Sequence, residues 1–290
     1  MRPDITIIYN EPFPEGYDFE QDREAILGVM QCVNSVHIAL LECGYIVDLL
    51  AIKPPVERVK SQLCKIKSDL VFNLFEGFYD FPESEAAVAE MLESRGFRFT
   101  GCPSSALRMA LDKANSKALM LQHGIRVPEY QVLSVGNIDE FELQFPAIVK
   151  PRNQDASHGI IPESVVNNMA ELRVQVSRIL QQFENDALVE QYLSGREFNI
   201  TVLGNAEYTL LPPSEIVYML PPDKPRLLTY EAKWITDSEY FEKTAVECPA
   251  KIDAGLRREI GEIAMAACRL FGCAGYARVD MRQDASGRLK

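Results

Sequence analysis

The sequence predicts an α/β protein whose first third folds as a doubly wound parallel sheet. Two observations carry that class. Short apolar runs alternate with helical patterns from the first residues onward. The chain has 290 residues, 47% of them hydrophobic, enough for a large core divided between two domains or three small ones.

Ile5 to Tyr9 reads as a strand, and an amphipathic helix follows with Ile26, Met30, Val33 and Leu40 on one face, stopped at Gly44. Tyr45 to Leu50 is the next strand. Past Pro54 and Pro55 comes a polar helix to about Lys67, then a strand from Leu70 to Phe75, then a helix from near Pro82 to Arg95 that stops at Gly96. The first turn, YNEPFPEG, lacks GxGxxG, so no dinucleotide site is read there. Ligands are expected at the strand C-termini, around Glu11 and Glu76 to Tyr79.

A second unit begins near Pro103. SSALRMALDKANSKALMLQHG gives two short helices, the second ending at Gly124. Then come a strand (Tyr130 to Leu133), a short helix (Ile138 to Leu143), a buried strand (Phe145 to Val149), a small polar loop, a long helix (Met169 to Phe183) and a strand (Leu188 to Leu193). A third unit follows with strands at Phe198 to Leu203 and Tyr208 to Leu211. Pro221 to Pro249 reads as a long irregular region, and loops of that length are often lids. A helix from Leu256 to Phe271 then leads into the strand GYARVDM, where a period of two puts Arg278 and Asp280 on one side.

Composition narrows the function classes. A formal net charge of -12 argues against nucleic acid as a partner, since phosphate-backbone binders are usually basic. An acidic chain that binds a polyphosphate must gather cations locally and recruit a metal ion. The seven cysteines are odd in number and scattered, with no CxxC pair, so they predict neither a zinc site nor a disulfide framework but reduced, mostly core thiols. The N-terminal apolar run is too short for a signal peptide and no stretch spans a bilayer, so a cytoplasmic protein without membrane contact is expected.

Four places carry chemistry, each with a plainer reading beside it. Lys150 ends an apolar run and is followed by Ser157 and Gly159 in a small-residue loop; this is a phosphate cradle, or a lysine snorkelling beside a surface loop. In ALVEQYLSGREFNI, the connector from Glu190 through Leu193 suits adenine and Glu197 suits two ribose hydroxyls, unless the stretch is a solvated hinge. Lys233 in TYEAKW is a lid cation or a solvated lysine. Arg278 and Asp280, adjacent on a buried strand, suit an oxyanion stabiliser beside a Mg2+ ligand, or form an ion-pair ladder.

In this order, and together with LDKANSK and the CPA at Cys248 to Ala250, these motifs resemble the ATP-grasp superfamily, most closely its D-alanine--D-alanine ligase branch. The resemblance spans essentially the whole chain. It implies an N-terminal α/β domain (1–105) followed by a two-subdomain ATP-grasp fold (106–192 and 193–290), with ATP held between the second and third domains. By the same resemblance Lys113 and Lys150 meet the ATP phosphates, and Ser157 lies in the loop that covers them. Glu190, Gln191 and Leu193 border the adenine, and Glu197 meets the ribose. Lys233 reaches the γ-phosphate, Arg278 faces the acyl phosphate and the tetrahedral intermediate, and Asp280 binds Mg2+ or Mn2+.

The implied activity joins amino acids or similar small molecules: ATP phosphorylates a carboxylate, an amine attacks, and ADP and phosphate leave. Such a reaction needs positioning and charge stabilisation rather than a Ser/His/Asp set, so His37, His123 and His158 read as structural. The expected partners are a small carboxylate and a small amine, with room for a homodimer. The chain departs from the family pattern at Glu76-Gly77, Ala156 and Trp234, and its N-terminal glutamate is placed loosely at Glu24. The family's further metal ligands, an ExN motif, belong to a strand that would begin at Lys290. The expected fold is therefore C-terminally truncated, and a nucleotide-binding module without catalysis is the alternative.

Overall fold

The computed structural model describes residues 3–12, 23–78, 81–154 and 157–290, with the side chains of 23–25 left out. Tyr79, Ala156 and the Glu24 side chain thus lie outside the described residues. The chain forms two compact units, Met1–Arg108 with Ala274–Tyr276, and Met109–Cys273 with Ala277–Lys290.

The first unit runs β1 (Ile5–Asn10), α1 (Arg23–Glu42), β2 (Val47–Ile52), a 3-10 turn into α2 (Val59–Leu63), β3 (Leu70–Leu74), α3 (Ser84–Ser94) and β4 (Arg98–Phe99). Its strands lie in the order β2-β1-β3-β4 and every pair is parallel. The chain steps from β1 outward to β2, then back past β1 to β3. Right-handed crossovers therefore send α1 to one face and α2 and α3 to the other. Val59, Leu63, Val88 and Leu92 accordingly pack on Ile8, Ile52 and Val71. At the strand C-termini, Asn10 Nδ2 donates to Gly77 O at 2.6 Å and Asn10 Oδ1 accepts from Glu76 N at 2.9 Å. The helix expected to reach Lys67 stops at Leu63 instead, where Ile66 N turns back to Leu63 O at 3.2 Å.

The chain continues through α4 (Ser104–Leu111), α5 (Lys113–Gln122), β5 (Tyr130–Leu133), β6 (Ala147–Pro151), β7 (Val165–Val166), α6 (Met169–Phe183) and β8 (Ala187–Gln191). The sheet order is β5-β8-β6-β7, all antiparallel. Leu172, Val176 and Ile179 of α6 cover one face of it, against Val149, Val166 and Val189. β6 starts later than the sequence suggests, because Pro146 has no N–H to donate to a ladder.

Next come β9 (Glu197–Gly204), β10 (Tyr208–Leu210), β11 (Ser214–Tyr218), α7 (Tyr230–Trp234), α8 (Glu239–Glu242), β12 (Thr244–Glu247), α9 (Ala254–Phe271) and β13 (Gly275–Arg282). These strands are ordered β10-β9-β11-β12, with β13 also paired to β9. Ile260, Ala264 and Cys268 of α9 pack on Phe198, Ile200, Val202 and Met281.

The stretch from Pro221 to Pro249 is not irregular throughout. Thr229 caps α7 by accepting from Ala232 N at 3.1 Å, Ser238 caps α8 by accepting from Phe241 N at 3.1 Å, and β12 pairs antiparallel with β11. Lys233 therefore rides a short helix rather than a free loop. The cysteines are also placed differently from expectation: all are free, but Cys32, Cys43, Cys64 and Cys248 are exposed and only Cys268 is buried. Among the described residues, no helix is long and apolar enough to cross a membrane.

Candidate functional site

Local chemistry first fixes α5 against β6. Asp112 accepts from Ala114 N and Asn115 N at 3.1 Å, satisfying the free donors at the start of α5. The same carboxylate takes a two-pronged grip from Arg152, at 2.8 and 2.6 Å, just beyond β6. Burial alone would raise the Asp112 pKa, but the Arg152 hydrogen bond and the helix amides bring it below the usual carboxylate value. One residue thus locks the helix that carries Lys113 and Lys117 to the strand that carries Lys150.

The lysines converge on a buried carboxylate. Ile148 on β6 pairs with Glu190 on β8, so period two puts Lys150 on the same face as Glu190. Glu190 is 3% exposed. Lys150 Nζ lies 2.8 Å from its Oε2 and Lys117 Nζ 3.0 Å from its Oε1. Burial would raise the Glu190 pKa, but the two ammonium groups hold it down to about 2. The Lys117 pKa is lowered too, which for an ammonium disfavours the charged form. Burial lowers its pKa, and Glu190 does not fully compensate because Lys150 and Lys113 stand nearby. Lys113 Nζ donates to Gln154 O in the loop after β6. Two ammonium groups, those of Lys117 and Lys150, share one buried carboxylate, which leaves the pair one negative charge short. Lys117 was not singled out from sequence, although its place four residues after Lys113 in LDKANSK sets it on the same helix face.

Beside the cluster, the small-residue loop is stitched to the segment that leads into α7. Ser157 adopts a left-handed conformation (φ 65°) and its Oγ donates to Leu228 O at 2.9 Å. Tyr230 N donates to Ile160 O at 3.3 Å, and the rings of His158 and Tyr230 lie 5.8 Å apart. Gly159 (φ 73°) is required here, since a Cβ would sit 2.6 Å from the Phe183 ring. Its carbonyl accepts from Arg178 at 2.8 Å. Ser157 and the α7 segment, read separately from sequence, are brought together. Two buried polar atoms in these stretches, Asn153 Oδ1 and Trp234 Nε1, have no hydrogen-bond partner.

On the other sheet of this unit, Glu197 opens β9, and its Oε2 accepts from Tyr218 at 2.6 Å and lies 3.3 Å from Arg282. Leu193 is buried, and Gln191 accepts from Lys290 Nζ at 2.7 Å while its own N–H donates to Glu129 O.

Residues 119–290 match the family model described as D-ala D-ala ligase C-terminus, which is more than half of the chain. The chain belongs to the D-alanine--D-alanine ligase family. The D-alanine--D-alanine ligase of Bordetella petrii is 31% identical over 261 residues, covering 88% of this chain and 73% of that protein. The uncharacterized protein y4sG of Sinorhizobium fredii is 33% identical over 281 residues, covering 96% and 77%. The fold is similar to that of the VanG D-Ala:D-Ser ligase of Enterococcus faecalis, with TM-score 0.70 at 20% identity over 100% of this chain and 88% of that one. It is also similar to that of the Bacillus anthracis D-alanine--D-alanine ligase complexed with ATP, with TM-score 0.68 at 19% identity over 97% and 82%.

Within this ligase-family chain, Arg278 Nε lies 2.8 Å from Asp280 Oδ1, which also accepts from Asn199 Nδ2 at 2.7 Å. The two side chains share a face, as period two required, but that face is open: they are 61% and 53% exposed rather than buried. No group of three or more His, Cys, Asp or Glu suited to a metal occurs among the described residues. The donor set fits Mg2+ only in its sparse form, one carboxylate with phosphate oxygens and water completing the shell.

Proposed function

We propose that the chain binds ATP with Mg2+ or Mn2+ between the subdomains 106–192 and 193–290, and ligates a small carboxylate to a small amine. The observation that carries this reading is the charge imbalance around Glu190. Two ammonium groups held on one buried carboxylate, with that of Lys113 near enough to act on Lys117, in a chain of net charge -12, suit a polyanion. The orphaned Trp234 Nε1 donor supports it, because a buried polar atom without a partner costs about 1–3 kcal/mol unless a ligand satisfies it.

In this reading Lys113 and Lys150 hold the phosphates, and Lys117 adds charge behind them. Ser157 keeps the covering loop closed on the α7 segment, from which Lys233 reaches the γ-phosphate. Glu190, Gln191 and Leu193 border the adenine and Glu197 takes the ribose. Asp280 is the protein's ligand to the metal, which neutralises phosphate charge when bound. The substrate carboxylate attacks the γ-phosphorus, the bond to the β-phosphate oxygen breaks, and ADP leaves. The neutral amine then attacks the acyl carbon, phosphate departs with the C–O bond electrons, and the proton shed by the nitrogen leaves with that phosphate. Arg278, on the exposed face beside Asp280, neutralises the oxyanion of that second step, so it must exchange its Asp280 contact for the substrate oxygen.

ADP release measured across a panel of D- and L-amino acids tests the proposal. Release that depends on both Mg2+ and a particular amino acid supports ligation. Binding of Mg-ATP with no product from any amino acid would leave a nucleotide-binding module instead.

A further inference from the structure

One side chain links the proposed ribose carboxylate to the segment that carries the lid lysine. Arg282 ends β13 and is 14% exposed. Its NH1 lies 3.3 Å from Glu197 Oε2, its Nε donates to Gly195 O at 3.3 Å, and its NH2 donates to Arg226 O at 2.5 Å. The guanidinium carbon stands 5.4 Å from the Tyr192 ring centre and 5.6 Å from that of Tyr218, both within cation–π range.

The two tyrosines reinforce the same two acceptors. Tyr218 donates to Glu197 Oε2 at 2.6 Å, and Tyr192 donates to Arg226 O at 3.0 Å. Each acceptor is thus held twice, and Arg282 is the donor common to both. Arg226 stands two residues before Leu228, whose carbonyl takes the Ser157 hydroxyl, and shortly before α7.

We propose that Arg282 is a positioning residue that orients Glu197 toward a ribose and, through Arg226, tethers the segment leading into α7, so that ribose binding and the seating of Lys233 are coupled. The ribose half rests on the ATP reading above; the tether does not. A planar guanidinium with several fixed donors spans two acceptors at once, which the compact ammonium of a lysine cannot do. Without it, a half-buried Glu197 loses its cation and Arg226 O keeps a single donor.

The test uses the full chain with Arg282→Met and Arg282→Lys, and two readouts. Hydrogen exchange of residues 226–234, recorded without nucleotide, should rise about tenfold in both variants while exchange in α9 stays unchanged. The preference of the wild-type chain for ATP over 2′-deoxy-ATP, measured by calorimetry, should fall about tenfold toward parity. Should the Arg282 variants fail to fold, Tyr192→Phe removes the second donor to Arg226 O and should raise exchange over the same residues by a smaller factor. Unchanged exchange at 226–234 overturns the tether, and raised exchange with an unchanged nucleotide preference overturns the coupling. A wild-type chain that binds both nucleotides equally overturns the role of Glu197. One that binds neither overturns the ATP reading itself, and the exchange data then stand for the tether alone.

Discussion

Lys117 lies 3.0 Å from Oε1 of Glu190, on the side of the carboxylate away from the Lys150 contact at Oε2. Two cations therefore divide one anion between them, and the consequences of removing a cation and of removing the anion differ in size.

Replacing Lys117 by Met leaves Glu190 its Lys150 partner and removes an ammonium whose burial is costly. Folding stability should change by less than about 1 kcal/mol, because Lys150 still pairs the carboxylate and the desolvation cost of a second buried ammonium goes together with its attraction. ATP affinity should fall by about 1.5–3 kcal/mol, the range for a hydrogen bond to a charged group. Denaturant titration and calorimetry on the same preparation separate the two effects, and a large stability loss with unchanged affinity would make Lys117 purely structural.

Removing the anion is the harsher change. Glu190→Gln strands two ammonium groups without a carboxylate and should destabilise the chain by about 3 kcal/mol at neutral pH. Its pH dependence has a definite direction. The folded-state pKa of about 2 lies below the ordinary 4.5, so the stabilisation is fully present above 4.5 and drains away as pH falls toward 2. Melting curves of wild type and Glu190→Gln should therefore converge between pH 4.5 and 2; a constant gap across that window would contradict the assignment.

Arg278 and Asp280 should behave in the opposite manner. Because both are more than half exposed, Arg278→Ala and Asp280→Asn should each alter stability by less than about 0.5 kcal/mol. Turnover should nonetheless fall, with Arg278→Ala lowering kcat far more than ATP affinity and Asp280→Asn raising the Mg2+ concentration needed for half-maximal rate. Equal losses of affinity and turnover for Arg278→Ala would mark it as a binding group.

Gly159→Ala probes the loop. Its φ of 73° and the 2.6 Å approach of Phe183 to a Cβ both oppose the change. A loss of about 1–3 kcal/mol in stability is expected, with part of it restored by adding Phe183→Leu, as read by chemical denaturation. A Phe183 change that restores nothing would assign the strain to the backbone alone.

Sequence by itself determined the alternation of strands and helices and the bounds of α6 and β5. Those features are local. Apolar periodicity, a capping Asn168 and turn glycines act over a few residues, and the order of the motifs from Lys113 to Asp280 can be read without coordinates. Tertiary structure decided the rest. The pairing of Ile148 with Glu190 brings Lys150 to its carboxylate across two strands, and Lys117 joins them only because Asp112 locks α5 to Arg152. Local cap signals do stand in the sequence for α7, which carries Lys233, at Thr229 and for α8 at Ser238. Arg282 had none. Its five contacts come from segments as far apart in the chain as Tyr192, Tyr218 and Arg226, and only pairing of β13 with β9 sets a guanidinium among them. Local propensity acts within a turn or two of the chain, whereas a charge finds its partner through packing, which no single stretch of sequence encodes.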